Sequence, residues 1–197
     1  MKEEDIRRYT VNKEAEYPIS YPKPKKKAEY YSRTKNTKDD WETPIEFFNL
    51  LDNEFHFTLD PCASKENSKC KKFYTIEDNG LIQSWKKETV FVNPPYSNIF
   101  EWVKKCYEAS RNKTTVVVLI LPARTDTIYW HEYIMKAQQI WFCKGRVNFV
   151  KKGETPRTGS TFPLVIVVFR IRDIYIINPF IKSFYHKPKD IENGERN

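Results

Sequence analysis

Apolar residues recur along the chain with two different spacings, which predict alternating helices and strands. An apolar side chain at every third or fourth position marks one face of a helix. The segments predicted as helices are 44–52, 99–110 and 126–137. Short runs that alternate with polar residues, or that are continuously apolar and β-branched, are typical of strands. The segments predicted as strands are 55–59, 90–92, 114–121 and 139–142.

Towards the C-terminal end, two further apolar segments are separated by a polar loop. The segments are 145–150 and 164–170, and the loop contains Gly153, Pro156 and Gly159. Two strands joined by a glycine-containing loop predict a β-hairpin. The complete pattern therefore predicts an α/β fold in three layers, with a mostly parallel sheet and a C-terminal antiparallel hairpin.

The N-terminal segment has a different composition. Prolines interrupt any regular element there, and residues 20–38 contain seven lysines or arginines against one acidic residue. We expect a flexible basic arm, which either contacts phosphates or only solubilises the chain. The polar residues at the other end are expected to form a tail. The predicted division is an arm at 1–38, a folded domain at 39–178 and a tail at 179–197.

Size and charge narrow the range of functions. With 197 residues, of which 40% are apolar, the chain suits one compact domain that buries a sizeable core. Its formal net charge of +8 is compatible with a polyanionic partner, nucleic acid above all.

The same composition argues against several other classes of protein. The chain has no run of about 18 apolar residues, so no transmembrane helix is expected. Its charged N-terminus does not resemble a secretion signal, so we expect the protein in the cytoplasm of a bacterial host cell. The four cysteines and three histidines lack the spacing of metal ligands. Reduced thiols and no metal site are therefore expected.

The tetrapeptide Asn93-Pro94-Pro95-Tyr96 is the strongest candidate for chemistry. It follows a predicted strand and precedes a predicted helix, and parallel α/β sheets bind ligands at such strand ends. The Asn93 side chain and the Pro94 main chain each offer a carbonyl that can accept a hydrogen bond from a planar amine. Two prolines keep the turn rigid, and a base can stack on the Tyr96 ring. An ordinary strand-to-helix turn is the alternative.

Six short motifs follow one another along the predicted domain and cover nearly all of it. The motifs are DWETP at 40–44, LDPCA at 59–63, EDNGL at 77–81 with Trp85, VNPPYSN at 92–98, LPARTDT at 121–127 and GRVNF at 145–149. Each motif is modest alone, but six in this order are specific, and the order resembles that of the phage-type DNA adenine methyltransferase (Dam) family. The resemblance implies a Rossmann-like methyltransferase fold, S-adenosylmethionine as the methyl donor, and the N6 amine of adenine in DNA as the acceptor.

The resemblance also implies roles for individual residues. Residues 93–96 would be the catalytic set and would act on an adenine flipped out of double-stranded DNA. Asp60 would lie beside the methionine part of the cofactor, and Asp78 would bind the cofactor's adenine amine or ribose. The implied cofactor contacts are Trp41, Thr43, Pro44, Asp60, Pro61, Ala63 and Asp78. The loop after Asp60 lacks the glycines that many methyltransferases have there.

Basic residues near the predicted strand ends are candidates for contacts with DNA phosphates. They are Arg124, Lys144, Arg146, Lys151, Lys152 and Arg157. Fewer than thirty residues separate Ala63 from Val90, which leaves little room for a separate recognition domain. We therefore expect a short recognition site or loose specificity. A monomer or a weak dimer is a separate expectation.

Two alternatives remain open at this point. The first is a methyltransferase with the same tetrapeptide that acts on an RNA base or on a glutamine side chain, since both present planar nitrogen nucleophiles. The second is a non-catalytic DNA-binding module on the same fold. The basic charge favours nucleic acid over protein. The order of the motifs favours DNA over RNA, and the intact tetrapeptide favours an enzyme.

Overall fold

The computed structural model describes residues 41–151, 162–171 and 179–185, with the main chain alone at 150, 151 and 185. The predicted arm, together with Lys152 and Arg157, lies outside the described residues. Within the described ranges, no helix is both long enough and apolar enough to cross a membrane.

Helices and strands alternate through the described part of the chain. The helices are α1 (Ile45–Phe55), α2 (Ile99–Ser110) and α3 (Ile128–Glu132). The strands are β1 (Trp41–Glu42), β2 (Leu59–Asp60), β3 (Lys72–Phe73), β4 (Thr89–Val92), β5 (Val116–Pro122), β6 (Gln139–Lys144), β7 (Val150–Lys151), β8 (Leu164–Phe169) and β9 (Phe180–Tyr185). Short 3-10 helices follow β4 and α3, at Tyr96–Asn98 and Ile134–Lys136.

Seven of these strands form one sheet, in the order β3-β2-β4-β5-β8-β6-β9. β2 pairs in parallel with β3 and β4, β4 with β5, and β6 with β9, whereas β8 is antiparallel to both of its neighbours. The other two strands, β1 and β7, pair with each other in antiparallel orientation. The prediction of an α/β fold with a mostly parallel sheet is therefore confirmed.

The predicted hairpin between 145–150 and 164–170 is wrong. β8 lies between β5 and β6, with Val167 opposite both Leu119 and Ile140. The five residues before β7 form no strand, and β7 itself pairs with β1. All six residues of β8 are buried, which requires a neighbour on each side and cover on both faces. The segment before β7 alternates exposed and buried side chains, so it can cover the core from one side only.

Part of the predicted tail at 179–197 is a strand. β9 pairs in parallel with β6, with Ile181 opposite Ile140. The Phe184 ring stacks on the Trp141 ring, with 5.6 Å between their centroids. The Lys182 ammonium lies 3.5 Å from the centroid of the same Trp141 ring. These contacts hold a strand whose partner lies about forty residues earlier in the chain.

Helices cover both faces of the sheet and fix the end of β4. On one face, α1 packs through Phe48 and Leu51 against strand residues that include Phe91. On the other face, α2 and α3 pack against strand residues that include Val92. Because neighbouring residues of a strand point to opposite faces, β4 is enclosed on both sides. The enclosed strand leads directly into Asn93.

Candidate active site

A cavity of about 580 Å³ opens where β2 and β4 end side by side. Its volume falls within the range of about 300–1,000 Å³ that is typical of small-molecule sites. The lining residues come from the segment around β1, from the loops after β2 and β3, and from the region that follows β4. They are Trp41, Glu42, Thr43, Asp60, Pro61, Cys62, Ala63, Ser64, Asn67, Lys69, Thr75, Ile76, Asn79, Gly80, Leu81, Phe91, Asn93, Pro95, Ser97, Asn98 and Trp102.

Asp60, the last residue of β2, places a buried carboxylate in the cavity wall. Its side chain is 5% exposed. Oδ1 accepts a hydrogen bond from the Cys62 N–H at 3.4 Å, and Oδ2 accepts one from the Lys69 N–H at 3.2 Å. Burial raises the pKa of Asp60 from 3.8 to about 6, against the opposing effect of these hydrogen bonds and of the Lys69 charge. Each carboxylate oxygen keeps a lone pair with which it can bind a cationic group.

The loop after Asp60 has no glycine, but a glycine of the neighbouring loop provides a close approach of two backbones. A Cβ atom on Gly80 would overlap with the carbonyl oxygen of Pro61, so only glycine fits there. The Gly80 carbonyl accepts a hydrogen bond from Nε1 of the buried Trp85 at 3.0 Å. The contact brings the loops after β2 and β3 together, and both loops line the cavity.

Asp78 does not line the cavity. Its Oδ2 atom accepts hydrogen bonds from the N–H and the hydroxyl of Thr75, both at 2.9 Å. These hydrogen bonds lower the pKa of Asp78. The carboxylate therefore closes a turn, as aspartates in loops commonly do. The cofactor contact that the resemblance implies for Asp78 is not formed in this conformation, and Thr75, Ile76 and Asn79 line the cavity from the same loop.

Asn93 follows β4 and is held from two directions. Its Nδ2 atom donates a hydrogen bond to the main-chain carbonyl of Trp41 at 3.2 Å. Its main-chain carbonyl accepts a hydrogen bond from the Cys62 thiol at 3.2 Å. Burial raises the pKa of the Cys62 thiol well above its usual value, so the sulfur keeps the proton that it donates. The main chain and the side chain of Asn93 are thus held by two separate hydrogen bonds.

The other members of the tetrapeptide divide between the cavity and its surroundings. Pro95 lines the cavity, whereas Pro94 is buried and Tyr96 is half-buried outside the cavity lining. The Tyr96 ring makes an edge contact with the Phe162 ring, with 5.8 Å between centroids and 71° between planes. Burial raises the pKa of Tyr96, although the nearby Arg124 opposes this, so the phenol is neutral at ordinary pH.

Three of the basic candidates lie near the same edge of the sheet. Arg124 follows β5, Lys144 ends β6, and Arg146 comes two residues later. β5 and β6 are both antiparallel to β8, so their carboxyl ends lie at the edge where β4 ends. All three side chains are exposed. The fourth candidate in the described part, Lys151, pairs through its main chain with Trp41.

Five of the seven implied cofactor contacts line the cavity, namely Trp41, Thr43, Asp60, Pro61 and Ala63. Besides Asp78, the exception is Pro44, whose carbonyl accepts the Phe48 N–H at the start of α1. Thr43 is 3% exposed, and its hydroxyl has no hydrogen-bond partner in the described structure. A buried hydroxyl without a hydrogen-bond partner is energetically unfavourable. A ligand that formed a hydrogen bond with it would therefore bind more tightly.

Sequence reasoning missed several residues that line the cavity. Lys69 is the most important, because it brings a positive charge to the wall and makes no ion pair with another residue in the described part of the chain. Asn67 shapes the same loop, since its Oδ1 atom accepts the Ser64 N–H at 2.7 Å. Both residues fall between the matched motifs. The rule that α/β sheets bind ligands at strand ends could have pointed to this loop.

An α/β sheet with a cavity of small-molecule size at its strand ends, bordered by an Asn-Pro-Pro-Tyr turn, is the arrangement of an α/β protein that binds a small molecule. The chain matches the sequence profile of the DNA N-6-adenine-methyltransferase (Dam) family over residues 31–196. It belongs to this family, whose members methylate the N6 amine of adenine in DNA.

Two phage proteins illustrate the relationship. The chain is 30% identical over 145 residues to the DNA N-6-adenine-methyltransferase of Haemophilus phage HP1. The aligned residues make up 72% of this chain and 84% of that protein. It is 34% identical over 125 residues to the protein of the same name from Escherichia phage T1. The aligned residues make up 62% of this chain and 52% of that protein. The match to the HP1 protein spans most of both chains.

Proposed function

We propose that the chain transfers the methyl group of S-adenosylmethionine to the N6 amine of an adenine flipped out of double-stranded DNA. One observation carries this proposal. Asn93 lines the same cavity as the buried carboxylate of Asp60, and its Oδ1 atom has no partner among the described residues. An acceptor for an amine thus lies beside a pocket that suits a cationic cofactor. On this proposal, the seven-stranded sheet is the Rossmann-like core of a methyltransferase.

The charges in the cavity fit S-adenosylmethionine. Among the described residues that line it, the charged ones are Glu42, Asp60 and Lys69, so the wall carries one net negative charge. S-adenosylmethionine has a sulfonium, an ammonium and a carboxylate, which leaves one net positive charge. Bound there, it would supply an electrophilic methyl group. The charges of the lining residues are therefore opposite in sign and equal in number to those of the cofactor.

Asp60 and Lys69 suit the two ends of an amino acid. Asp60 would bind the ammonium group with its free lone pairs, and Lys69 would bind the carboxylate. The Thr43 hydroxyl is placed to add a hydrogen bond that it lacks within the described structure. The side chains of Trp41 and Ile76 offer apolar surface for the rest of the cofactor.

Asn93 and Pro94 would then act on the target amine. The Asn93 side-chain carbonyl and the Pro94 main-chain carbonyl would accept hydrogen bonds from the two N6 protons, which directs the nitrogen lone pair at the methyl group. The nitrogen releases a proton to solvent after transfer, so no covalent intermediate is required. The raised pKa of Tyr96 keeps its phenol neutral, which supports a role in stacking on the base rather than in proton abstraction.

Arg124, Lys144 and Arg146 would hold DNA phosphates at the edge of the sheet, and the predicted arm at 1–38 would add further contacts. Binding of this kind weakens with salt, because each phosphate contact releases counterions. Replacing one of these residues by glutamine is expected to lower the slope of log affinity against log salt by about 1. A slope that does not change for any of the three would remove them from the DNA interface.

Transfer of a radiolabelled methyl group tests the proposal against its alternatives. The labelled cofactor is offered with duplex DNA, with RNA, or with a glutamine-containing peptide. We expect label in DNA alone, and its loss in Asn93→Ala. Asn49→Ala is the matched control, because Asn49 is exposed on α1. Label in RNA or in the peptide would support the first alternative, and a protein that binds DNA but not the cofactor would support the second.

A further inference from the structure

The Asn93 side chain is oriented by a single contact within the described structure. Its Nδ2 atom donates a hydrogen bond to the main-chain carbonyl of Trp41, at 3.2 Å and across fifty-two positions of the chain. A main-chain carbonyl can only accept, so the end of the amide that faces it must be the NH2 end. The Oδ1 atom is thereby directed away from Trp41.

The main chain of Asn93 does not depend on this contact. It continues from β4, which is enclosed on both faces, and its carbonyl accepts a hydrogen bond from the Cys62 thiol. Rotation of the side-chain amide by half a turn would therefore leave the backbone of the tetrapeptide in place. It would exchange only the positions of Oδ1 and Nδ2.

Trp41 itself is placed by a pairing outside the large sheet. β1 pairs with β7, with Trp41 opposite Lys151 and Glu42 opposite Val150. The two-stranded ribbon β1–β7 is short, and a ribbon of this kind is only marginally stable alone. Trp41 and Glu42 also line the cavity. The ribbon therefore connects the cofactor cavity with the Asn93 side chain, which would accept a hydrogen bond from the target amine.

We propose that Trp41 is a positioning residue, whose main-chain carbonyl selects the orientation of the Asn93 amide that is competent for methyl transfer. The inference rests on the proposed function. An asparagine amide has two orientations that differ by half a turn. One presents the Oδ1 acceptor to the N6 amine, and the other presents N–H groups, which repel an amine that must itself donate.

Loss of the Trp41 contact lowers the fraction of molecules in the competent orientation. The contact is one neutral hydrogen bond, so its loss is expected to reduce kcat by about two- to tenfold. The substitution Lys151→Pro breaks the ribbon, because proline fixes φ and removes the main-chain N–H of a residue paired with Trp41.

Asn93→Asp separates orientation from general damage. A carboxylate presents an acceptor at either end, so it needs no orienting partner. The Trp41 carbonyl repels it, because both groups are acceptors. We therefore expect Lys151→Pro to lower kcat in the protein with Asn93, and to lower it much less, or to raise it, when it is combined with Asn93→Asp. Turnover is measured at saturating cofactor, and the cofactor Kd is followed by calorimetry.

Lys151→Pro is expected to change kcat differently in the protein with Asn93 and in the Asn93→Asp variant. An equal fall of kcat in both would mean that the ribbon only supports the fold, and would overturn the inference. Side-chain amide NMR of Asn93, assigned by the signal lost in Asn93→Asp, provides a second readout. One amide proton is expected downfield in the parent protein and shifted back in Lys151→Pro, and identical spectra would overturn the inference. If the parent protein transfers no methyl group, the proposed function fails, and the NMR spectra still decide the orientation.

Discussion

Asp60→Asn is expected to stabilise the protein while it weakens cofactor binding. The carboxylate is 5% exposed, and burial raises its pKa from 3.8 to about 6. Between these two pH values the folded protein binds a proton that the unfolded chain does not bind. The free energy of unfolding therefore falls as the pH rises from about 4 to about 6, and the cost of the ionised carboxylate is fully present above that range.

The magnitude follows from the two pKa values. Their difference corresponds to about 3 kcal/mol, because one pKa unit is worth about 1.4 kcal/mol. Asparagine keeps one acceptor oxygen, so one of the N–H groups of Cys62 and Lys69 loses its partner, at a cost of about 1 kcal/mol. The net gain is then about 2 kcal/mol, which raises Tm by about 4–8 °C in a domain of this size.

Thermal unfolding from pH 4 to pH 8, with and without the cofactor, measures both effects. We expect Asp60→Asn to have the higher Tm above pH 6 and to lose the fall between pH 4 and pH 6. Its cofactor Kd should rise by about tenfold or more, because a charge-assisted contact is lost. The matched control is Asp126→Asn, since Asp126 is exposed. A lower Tm for Asp60→Asn at pH 8, or an unchanged cofactor Kd, would refute the reasoning.

Three further predictions concern the same site. Lys69→Met should weaken binding of S-adenosylmethionine but not of its decarboxylated analogue in calorimetry, and equal weakening of both would show that Lys69 does not bind the carboxylate. Gly80→Ala should cost about 1–3 kcal/mol in denaturant unfolding, because a Cβ atom meets the Pro61 carbonyl; unchanged stability would contradict this close approach. Tyr96→Phe should retain activity, whereas Tyr96→Ala should lose about 1–3 kcal/mol of binding to DNA with an unpaired target base, and a strong loss in Tyr96→Phe would indicate a role for the hydroxyl.

Elements that depend on local spacing were predictable from the sequence. α2 begins and ends at the predicted residues, and β4 begins one residue earlier than predicted. α1 extends to Phe55, and His56 ends it in the left-handed region with φ of 55°. The residues at 55–57, predicted to open a strand, are therefore a helix end and a connection to β2.

Pairings between distant segments were not predictable in this way. β8 is continuously apolar, and this shows that it is buried but not which strands are its neighbours. Two strands close in sequence suggested a hairpin, whereas β8 inserts between β5 and β6. β9 was missed because its partner β6 lies about forty residues earlier in the chain, and a parallel pairing over that distance leaves no local pattern in the sequence.

The candidate site shows the same division. The tetrapeptide and Asp60 stand out in the sequence because strand ends and turns have local signatures. The turn formed by Asp78 was also a local possibility, and its hydrogen bonds to Thr75 decide between the two roles in this conformation. The contact of Trp41 with Asn93 joins residues that are far apart in the chain, so no local pattern could indicate it.

The most direct test of the proposed function is nucleoside analysis by mass spectrometry of duplex DNA after incubation with the protein and S-adenosylmethionine. We expect N6-methyladenine as the methylated nucleoside, and its absence when Asn93→Ala replaces the parent protein at equal cofactor occupancy. Methylated cytosine in place of N6-methyladenine, or an unchanged yield of N6-methyladenine with Asn93→Ala, would contradict the proposed role of the tetrapeptide.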